Sequence, residues 1–114
     1  GPEIRKLSGT IRMVLDVIGE NHRTRYGLKE EFHMTEECAM YLYEGIQTMN
    51  KIIEKLEKKI PKWIRNKLEE TRSVLECFFH QDKKYVLHLK QDQEHRIILC
   101  ASSRRIPQYL DQWE

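Results

Sequence analysis

The residues best placed for covalent or metal chemistry are Cys77 and His80, which stand three positions apart in the run Cys-Phe-Phe-His. A thiolate and an imidazole at this spacing could supply half of a zinc site, or a nucleophile and its base. The sequence has no second pair at ligand spacing, and Glu76 precedes the run, whereas reactive thiols lie in electropositive surroundings. We therefore expect an inert thiol on a buried helix end capped by His80, with no metal or cofactor.

Adjacent carboxylates could offer acid–base chemistry at Glu30-Glu31, Glu36-Glu37 and Glu69-Glu70. Neighbouring residues on a helix do not face each other, so these pairs are typical of a solvated surface. The sequence also contains no glycine-rich phosphate loop, serine elbow or His-Glu-x-x-His motif. We interpret the chain as a protein without catalytic residues and expect no small-molecule substrate.

Charge is distributed unevenly along the chain. The 114 residues include 20 Lys or Arg and 18 Asp or Glu, a formal net charge of +2, yet residues 28–37 are acidic and residues 55–67 are basic. The basic run could bind nucleic acid or an acidic protein surface. Its candidate residues are Lys58, Lys59, Lys62, Trp63, Arg65 and Lys67. The alternative is a solvated helix end with a buried tryptophan, which we favour because DNA-binding domains usually carry a larger positive net charge.

Methionine and tyrosine residues indicate a second surface, on the longest predicted helix. Met40 and Tyr41 fall outside its main apolar face, and Met34 lies just before it. Met and Tyr side chains suit adaptable interfaces. We therefore predict that Met34, Met40 and Tyr41 contact a protein partner or a second copy of the chain. A helix buried on more than one side would explain the same residues.

Apolar residues recur at steps of three and four along most of the first 80 positions, as they do on one face of a helix. We predict helices over residues 4–18, 36–59 and 61–79, with a short fourth helix at 28–32. Thr35 is suited to cap the second of the long helices, and Pro61 to end it and begin the next. The run Gly19-Glu20-Asn21 is typical of a helix end, and Gly45 indicates either a break or a close packing contact.

The last third of the chain is rich in β-branched and aromatic residues. It predicts strands at 85–91 and 95–101, joined by a short polar turn. Tyr85, Leu87 and Leu89 would share one face of the first strand, and Ile97, Leu99 and Ala101 one face of the second. Residues 102–114 are expected to pack back onto the domain in part. The predicted fold is α+β, with three or four helices followed by a C-terminal β-hairpin.

The ends and the cysteines bear on the origin of the chain. Gly1-Pro2 has the form that a cleaved affinity tag leaves, so we expect residues 3–114 to be one interaction domain of a larger protein. No run approaches the roughly 20 apolar residues of a membrane span, so no membrane partner is expected. Three cysteines, an odd number, favour a reducing compartment, the cytoplasm or the nucleus.

Helices followed by a hairpin, with a basic second half, resemble a winged-helix domain. The segment Gly27-Leu-Lys-Glu-Glu-Phe-His-Met-Thr-Glu-Glu-Cys-Ala39 is similar to a short helix, a turn and a second helix. The stretch Leu56-Glu-Lys-Lys-Ile-Pro-Lys-Trp-Ile64, with Tyr85-Val-Leu-His-Leu89 later, resembles the C-terminal winged helix of replication licensing factors. The phrase Ile60-Pro-Lys-Trp-Ile-Arg-Asn-Lys-Leu68 resembles a microtubule-binding winged helix of the kinetochore. The resemblance implies a module that docks protein or nucleic acid, and assigns a role to no single residue.

Overall fold

The structure, a computed structural model, describes residues 2–103. The elements follow in the order α1 (Pro2–His22), β1 (Lys29–Glu31), α2 (Glu36–Leu56), α3 (Lys62–His80), β2 (Tyr85–Gln91) and β3 (Ile97–Ser103). The predicted α+β class is confirmed. Within the described range, no helix is long and apolar enough to cross a membrane. The predicted packing of the C-terminal tail falls on residues 104–114, outside the described residues.

The sheet has three antiparallel strands in the order β1-β2-β3, so it is more than a C-terminal hairpin. The short helix predicted at 28–32 is wrong, because Lys29–Glu31 pair with residues 88–90 of β2 as a strand. The N–H of Phe32 extends this pairing by donating to the Leu87 carbonyl at 3.0 Å. A run of Lys-Glu-Glu has no apolar alternation, so only its pairing with β2 makes it a strand.

The predicted strand faces are confirmed, since cross-strand pairs set Leu89 opposite Leu99 and Leu87 opposite Ala101. Leu89 is fully buried, and Leu87, Leu99 and Ala101 pack against the core. β3 begins at Ile97, two residues later than predicted. The reason is the turn before it, where the Asp92 carboxylate accepts the backbone N–H groups of Glu94 and Arg96, each at 2.9 Å.

Two glycines serve close packing. A Cβ on Gly45 would lie 3.1 Å from Val14, so Gly45 lets α1 approach α2, and α2 continues unbroken through it. A Cβ on Gly19 would lie 2.7 Å from the Ile97 side chain. α1 ends at His22, one residue beyond the predicted stop at residues 19–21, and Gly19 packs against β3 inside the helix.

The predicted helix boundaries at α2 and α3 hold to within a few residues. Thr35 caps α2 as predicted, with its hydroxyl accepting the Cys38 N–H at 3.1 Å. Pro61 immediately precedes α3, and its carbonyl accepts the N–H groups of Ile64 and Arg65. α1 and α2 lie antiparallel, because Glu3 pairs with Lys55 at 3.2 Å at one end and Asn21 bonds Glu37 at 2.8 Å at the other.

Candidate functional site

The antiparallel pair of α1 and α2 carries an apolar groove of about 400 Å³ on its outer side. Its walls are Thr10 and Met13 of α1 with Met40, Tyr41, Glu44 and Thr48 of α2. Met13 is 56% exposed and Met40 is 59% exposed, although both are large apolar side chains. Two exposed methionines that line one groove form a patch whose burial would be favourable.

The packing of the two helices explains why these side chains face solvent. Leu7, Val14 and Ile18 form the stripe of α1 that enters the core. Val14 also packs against α2 at Gly45, where an added Cβ would lie 3.1 Å from the Val14 side chain. Met13 lies next to this stripe but outside it, since adjacent helical residues point about 100° apart. It therefore stands at the outer margin of the helix pair.

Of the three residues predicted for partner binding, the structure brings two together. Met40 is exposed at the groove, and the half-buried Tyr41 forms part of its wall. Met34 does not line this groove but lies half-buried against the core. Sequence reasoning missed Met13, which stands beside the apolar stripe of α1 much as Met40 stands beside that of α2. That placement is the signal that could have found it.

Charged residues flank the groove at both ends. Along α1, Lys6 and Glu20 lie seven residues before and after Met13, and all three are exposed. Along α2, Glu37 and Lys51 lie seven residues before and after the exposed Glu44. Seven residues are two turns, so each set shares one side of its helix. Because the helices are antiparallel, the two glutamates meet at one end and the two lysines at the other.

We call this whole surface the α1–α2 face. It comprises the groove and the four charged residues Lys6, Glu20, Glu37 and Lys51.

The acidic end of the α1–α2 face is held in place by side-chain hydrogen bonds. Asn21 donates to Glu37 and accepts the Thr35 hydroxyl at 3.0 Å, which ties α1 to the start of α2. The Nδ1 atom of His22 lies 2.8 Å from the Ile18 carbonyl oxygen, and its Nε2 atom accepts the His33 N–H at 2.8 Å. These bonds require a neutral imidazole with its proton on Nδ1.

The basic segment forms a second surface, where α2 turns into α3. Trp63 is 69% exposed, and the expectation of a buried tryptophan is therefore wrong. The side chains of Lys58, Lys59, Lys62 and Lys67 are exposed on the same turn and first helical turns. We call these four lysines with Trp63 the α2–α3 corner.

Arg65 differs from the other basic residues of this segment. It pairs with Glu57 at 3.2 Å and with Glu69 at 3.4 Å, so carboxylates already compensate its charge. The start of α3 has no acidic residue in its first turn and no side-chain cap. The exposed N–H groups there add to the positive field of the lysines.

The surroundings of Cys77 lower the reactivity of its thiol. Cys77 is half-buried, and that burial, with the carboxylates of Asp82 and Glu76 nearby, raises the pKa of its thiol. A protonated thiol is a poor nucleophile and a poor metal ligand. The expectation that His80 caps the helix is wrong, since Gln81 ends α3 in a left-handed conformation with φ 49°.

Comparison of the chain with protein-family models, with curated proteins and with solved structures gives no match. The winged-helix resemblance therefore stays a prediction from sequence. Within the described residues, two surfaces are suited to binding a partner, the apolar α1–α2 face and the basic α2–α3 corner.

Proposed function

We propose that the domain is a non-catalytic docking module that binds a protein chain through the α1–α2 face. The observation that carries the proposal is the exposure of Met13 and Met40 in one groove. Fully burying a methionine side chain contributes roughly 1.5–3 kcal/mol, and more than half of each side chain is still exposed. A partner that covers both would gain on the order of half that amount from each of them.

The surroundings of the two methionines support a protein as the ligand. Thr10, Thr48 and Glu44 place polar atoms around an apolar centre. Protein interfaces have this arrangement, in which a polar rim encloses a few side chains that contribute most of the affinity. Methionine also adapts its shape to a partner, because it is unbranched and has three rotatable bonds.

Site-specific photo-crosslinking tests the proposal. A benzophenone amino acid replaces Met40 in one variant and Lys83, exposed between α3 and β2, in a control variant. Docking at the α1–α2 face predicts discrete crosslinked protein adducts from position 40, none from position 83, and fewer when Met13→Asp is added. Equal adducts from both positions, or adducts that Met13→Asp does not reduce, would overturn the proposal. A thermal melt verifies that each variant folds.

A second function, the binding of nucleic acid, is favoured by one specific observation at the α2–α3 corner. Trp63 is 69% exposed and has lysines on both sides along the chain. An exposed aromatic ring can stack on an unpaired base, while lysines neutralise the phosphates that follow it. The pairing of Arg65 with two glutamates leaves this role to Trp63 and the lysines.

Fluorescence anisotropy with a labelled single-stranded oligonucleotide tests this second function. Affinity should fall steeply with added salt, because bound phosphates release counterions. The triple variant Lys58→Ala, Lys59→Ala, Lys62→Ala should lose most of the binding. The matched triple variant Lys29→Ala, Lys83→Ala, Lys84→Ala removes the same charge elsewhere and should keep it. No binding of the unaltered protein at low salt would exclude the function.

A further inference from the structure

We infer that the partner on the α1–α2 face is a second copy of this chain. The two copies are related by a two-fold axis that lies in the plane between them and runs at right angles to the helices. The inference rests on the proposed function, because it names the occupant of the same face. It follows from the distribution of charge about the centre of the groove.

The charges of α1 are arranged symmetrically but with opposite sign. Lys6 and Glu20 lie at equal distances, about 10.5 Å, on either side of Met13. A two-fold axis through the middle of the face reverses the direction of the second copy. It therefore sets Lys6 of one copy against Glu20 of the other, and Met13 against Met13.

The charges of α2 repeat this arrangement at the same level of the helix pair. Glu37 and Lys51 lie at equal distances on either side of Glu44. Met13 and Glu44 are the sequence neighbours of Val14 and Gly45, which pack against each other, so the two charge arrangements are centred at the same level of the helix pair. One axis therefore pairs opposite charges along both helices at once. A self-complementary surface of this kind is what a two-fold dimer requires.

The size of the face agrees with a weak dimer. Each helix has 21 residues and is about 31 Å long, and two packed helices are about 20 Å wide. The face therefore covers about 600 Å² per copy, or about 1,200 Å² in total, the lower end of the range for specific interfaces. An interface of this size is typical of weak, transient association.

Glu44 provides a signature of this arrangement. It lies level with Met13, halfway along the helix pair, so the axis places it against Glu44 of the second copy. The two carboxylates repel each other, and Glu44→Gln should tighten the dimer by several-fold. A different protein on the same face would have no reason to oppose Glu44 with a carboxylate.

Analytical ultracentrifugation over a concentration series, up to about 1 mM, tests the inference. Lys6→Glu and Glu20→Lys should each weaken the dimer by about tenfold, since each sets like charges against each other at two places. Both changes favour the helix dipole of α1, so loss of folding does not explain a weaker dimer. An equimolar mixture of the two variants should regain the affinity, because opposite charges meet again in the mixed dimer.

The outcomes separate this inference from the proposed function. A protein that stays monomeric throughout, or a dimer that the charge variants do not weaken, overturns the second copy as partner. If position 40 then still crosslinks to another protein, docking at the face stands with a different occupant. If the protein is monomeric and position 40 crosslinks to nothing, both proposals fail. A dimer restored by mixing supports both.

Discussion

The α1–α2 face and the α2–α3 corner differ in how their charges are arranged. The face has an apolar centre with acidic residues at one end and basic residues at the other. At the corner, positively charged lysines surround the exposed Trp63, and Arg65 is paired with Glu57. Opposite charges at fixed positions select a partner of matching shape and register. A field of one sign attracts any polyanion and demands little geometry.

The two surfaces also differ in what supports them. The face depends on the contact of two whole helices, which Gly45 makes possible and the bonds of Asn21 and His22 hold at one end. The corner depends on a short turn and the first turn of α3. Changes inside the helix pair should therefore disturb docking at the face and leave the corner unaltered.

The largest effect is expected from Gly45→Leu. The new side chain would be forced against Val14, which lies 3.1 Å from the position of the Cβ, and would push α1 away from α2. We expect a loss of about 3 kcal/mol in the free energy of unfolding and loss of docking at the α1–α2 face. Urea denaturation and crosslinking from position 40 measure the two effects.

Gly9→Ala is the matched control for that variant. No atom lies within 4 Å of a Cβ built on Gly9, and alanine favours a helix more than glycine does. It should stabilise the fold by up to about 1 kcal/mol. If Gly45→Leu proves as harmless as Gly9→Ala, the close contact of α1 with α2 is not what shapes the face.

His22→Ala should loosen the acidic end of the face. It removes the acceptor of the His33 N–H and the bond to the Ile18 carbonyl, for a loss of about 1–2 kcal/mol. Hydrogen exchange of the His33 amide should quicken. His33→Ala keeps that backbone bond and is the control. An unchanged exchange rate in His22→Ala would show that the bond contributes nothing in solution.

Trp63→Ala should separate binding from stability at the corner. Because the ring is 69% exposed, the free energy of unfolding should change by less than about 0.5 kcal/mol. Oligonucleotide binding, measured by anisotropy, should weaken clearly. A strong loss of thermal stability would instead mean that the ring packs against the domain.

The smallest effect is expected on stability at acidic pH. The backbone N–H of Glu3, with Lys55, holds the pKa of the Glu3 carboxyl below its usual value. Because this pKa is lower in the folded state than in the unfolded state, the ionised carboxylate stabilises the fold at any pH above the unfolded-state pKa. That stability is lost as the pH falls through the folded-state pKa. Glu3→Gln should therefore flatten the decline of melting temperature between about pH 5 and pH 3. An unaltered slope would contradict the role of this carboxylate.

Asp92 offers a comparison for Glu3 away from both surfaces. The Arg96 N–H, and then that of Glu94, hold the pKa of its carboxyl below the usual value. Asp92→Asn should flatten the same part of the acid profile. It should leave self-association unaltered, whereas Glu3→Gln removes an ion pair at the basic end of the α1–α2 face.

The sequence predicts the regular elements well where periodicity is strong, and fails where distant pairing decides. Helical spacing located α1, α2 and α3, and alternation gave the inner faces of β2 and β3. β1 could not be predicted, because Lys-Glu-Glu becomes a strand only beside residues 88–90 of β2. Gly19 has the look of a helix end but serves the close contact with Ile97.

Only part of the candidate site could likewise be predicted from the sequence. Met40 and Tyr41 could be predicted because they lie outside the apolar stripe of a single helix. Met13 carries the same signal on α1, but only the antiparallel packing of α1 on α2 shows that Met13 and Met40 line one groove. Lys6 and Glu20 could not be assigned to the site from the sequence, because their placement matters only beside the matching charges of α2.

The most direct test of self-association through the α1–α2 face uses the four methionines as probes. Met13 and Met40 line the groove, Met34 is half-buried elsewhere, and Met49 is fully buried. Spectra of ¹³C-methyl methionine are recorded as the protein is concentrated. Self-association through the face predicts that the Met13 and Met40 signals shift together while Met34 and Met49 stay in place. Association that leaves the signals of Met13 and Met40 unmoved would contradict it.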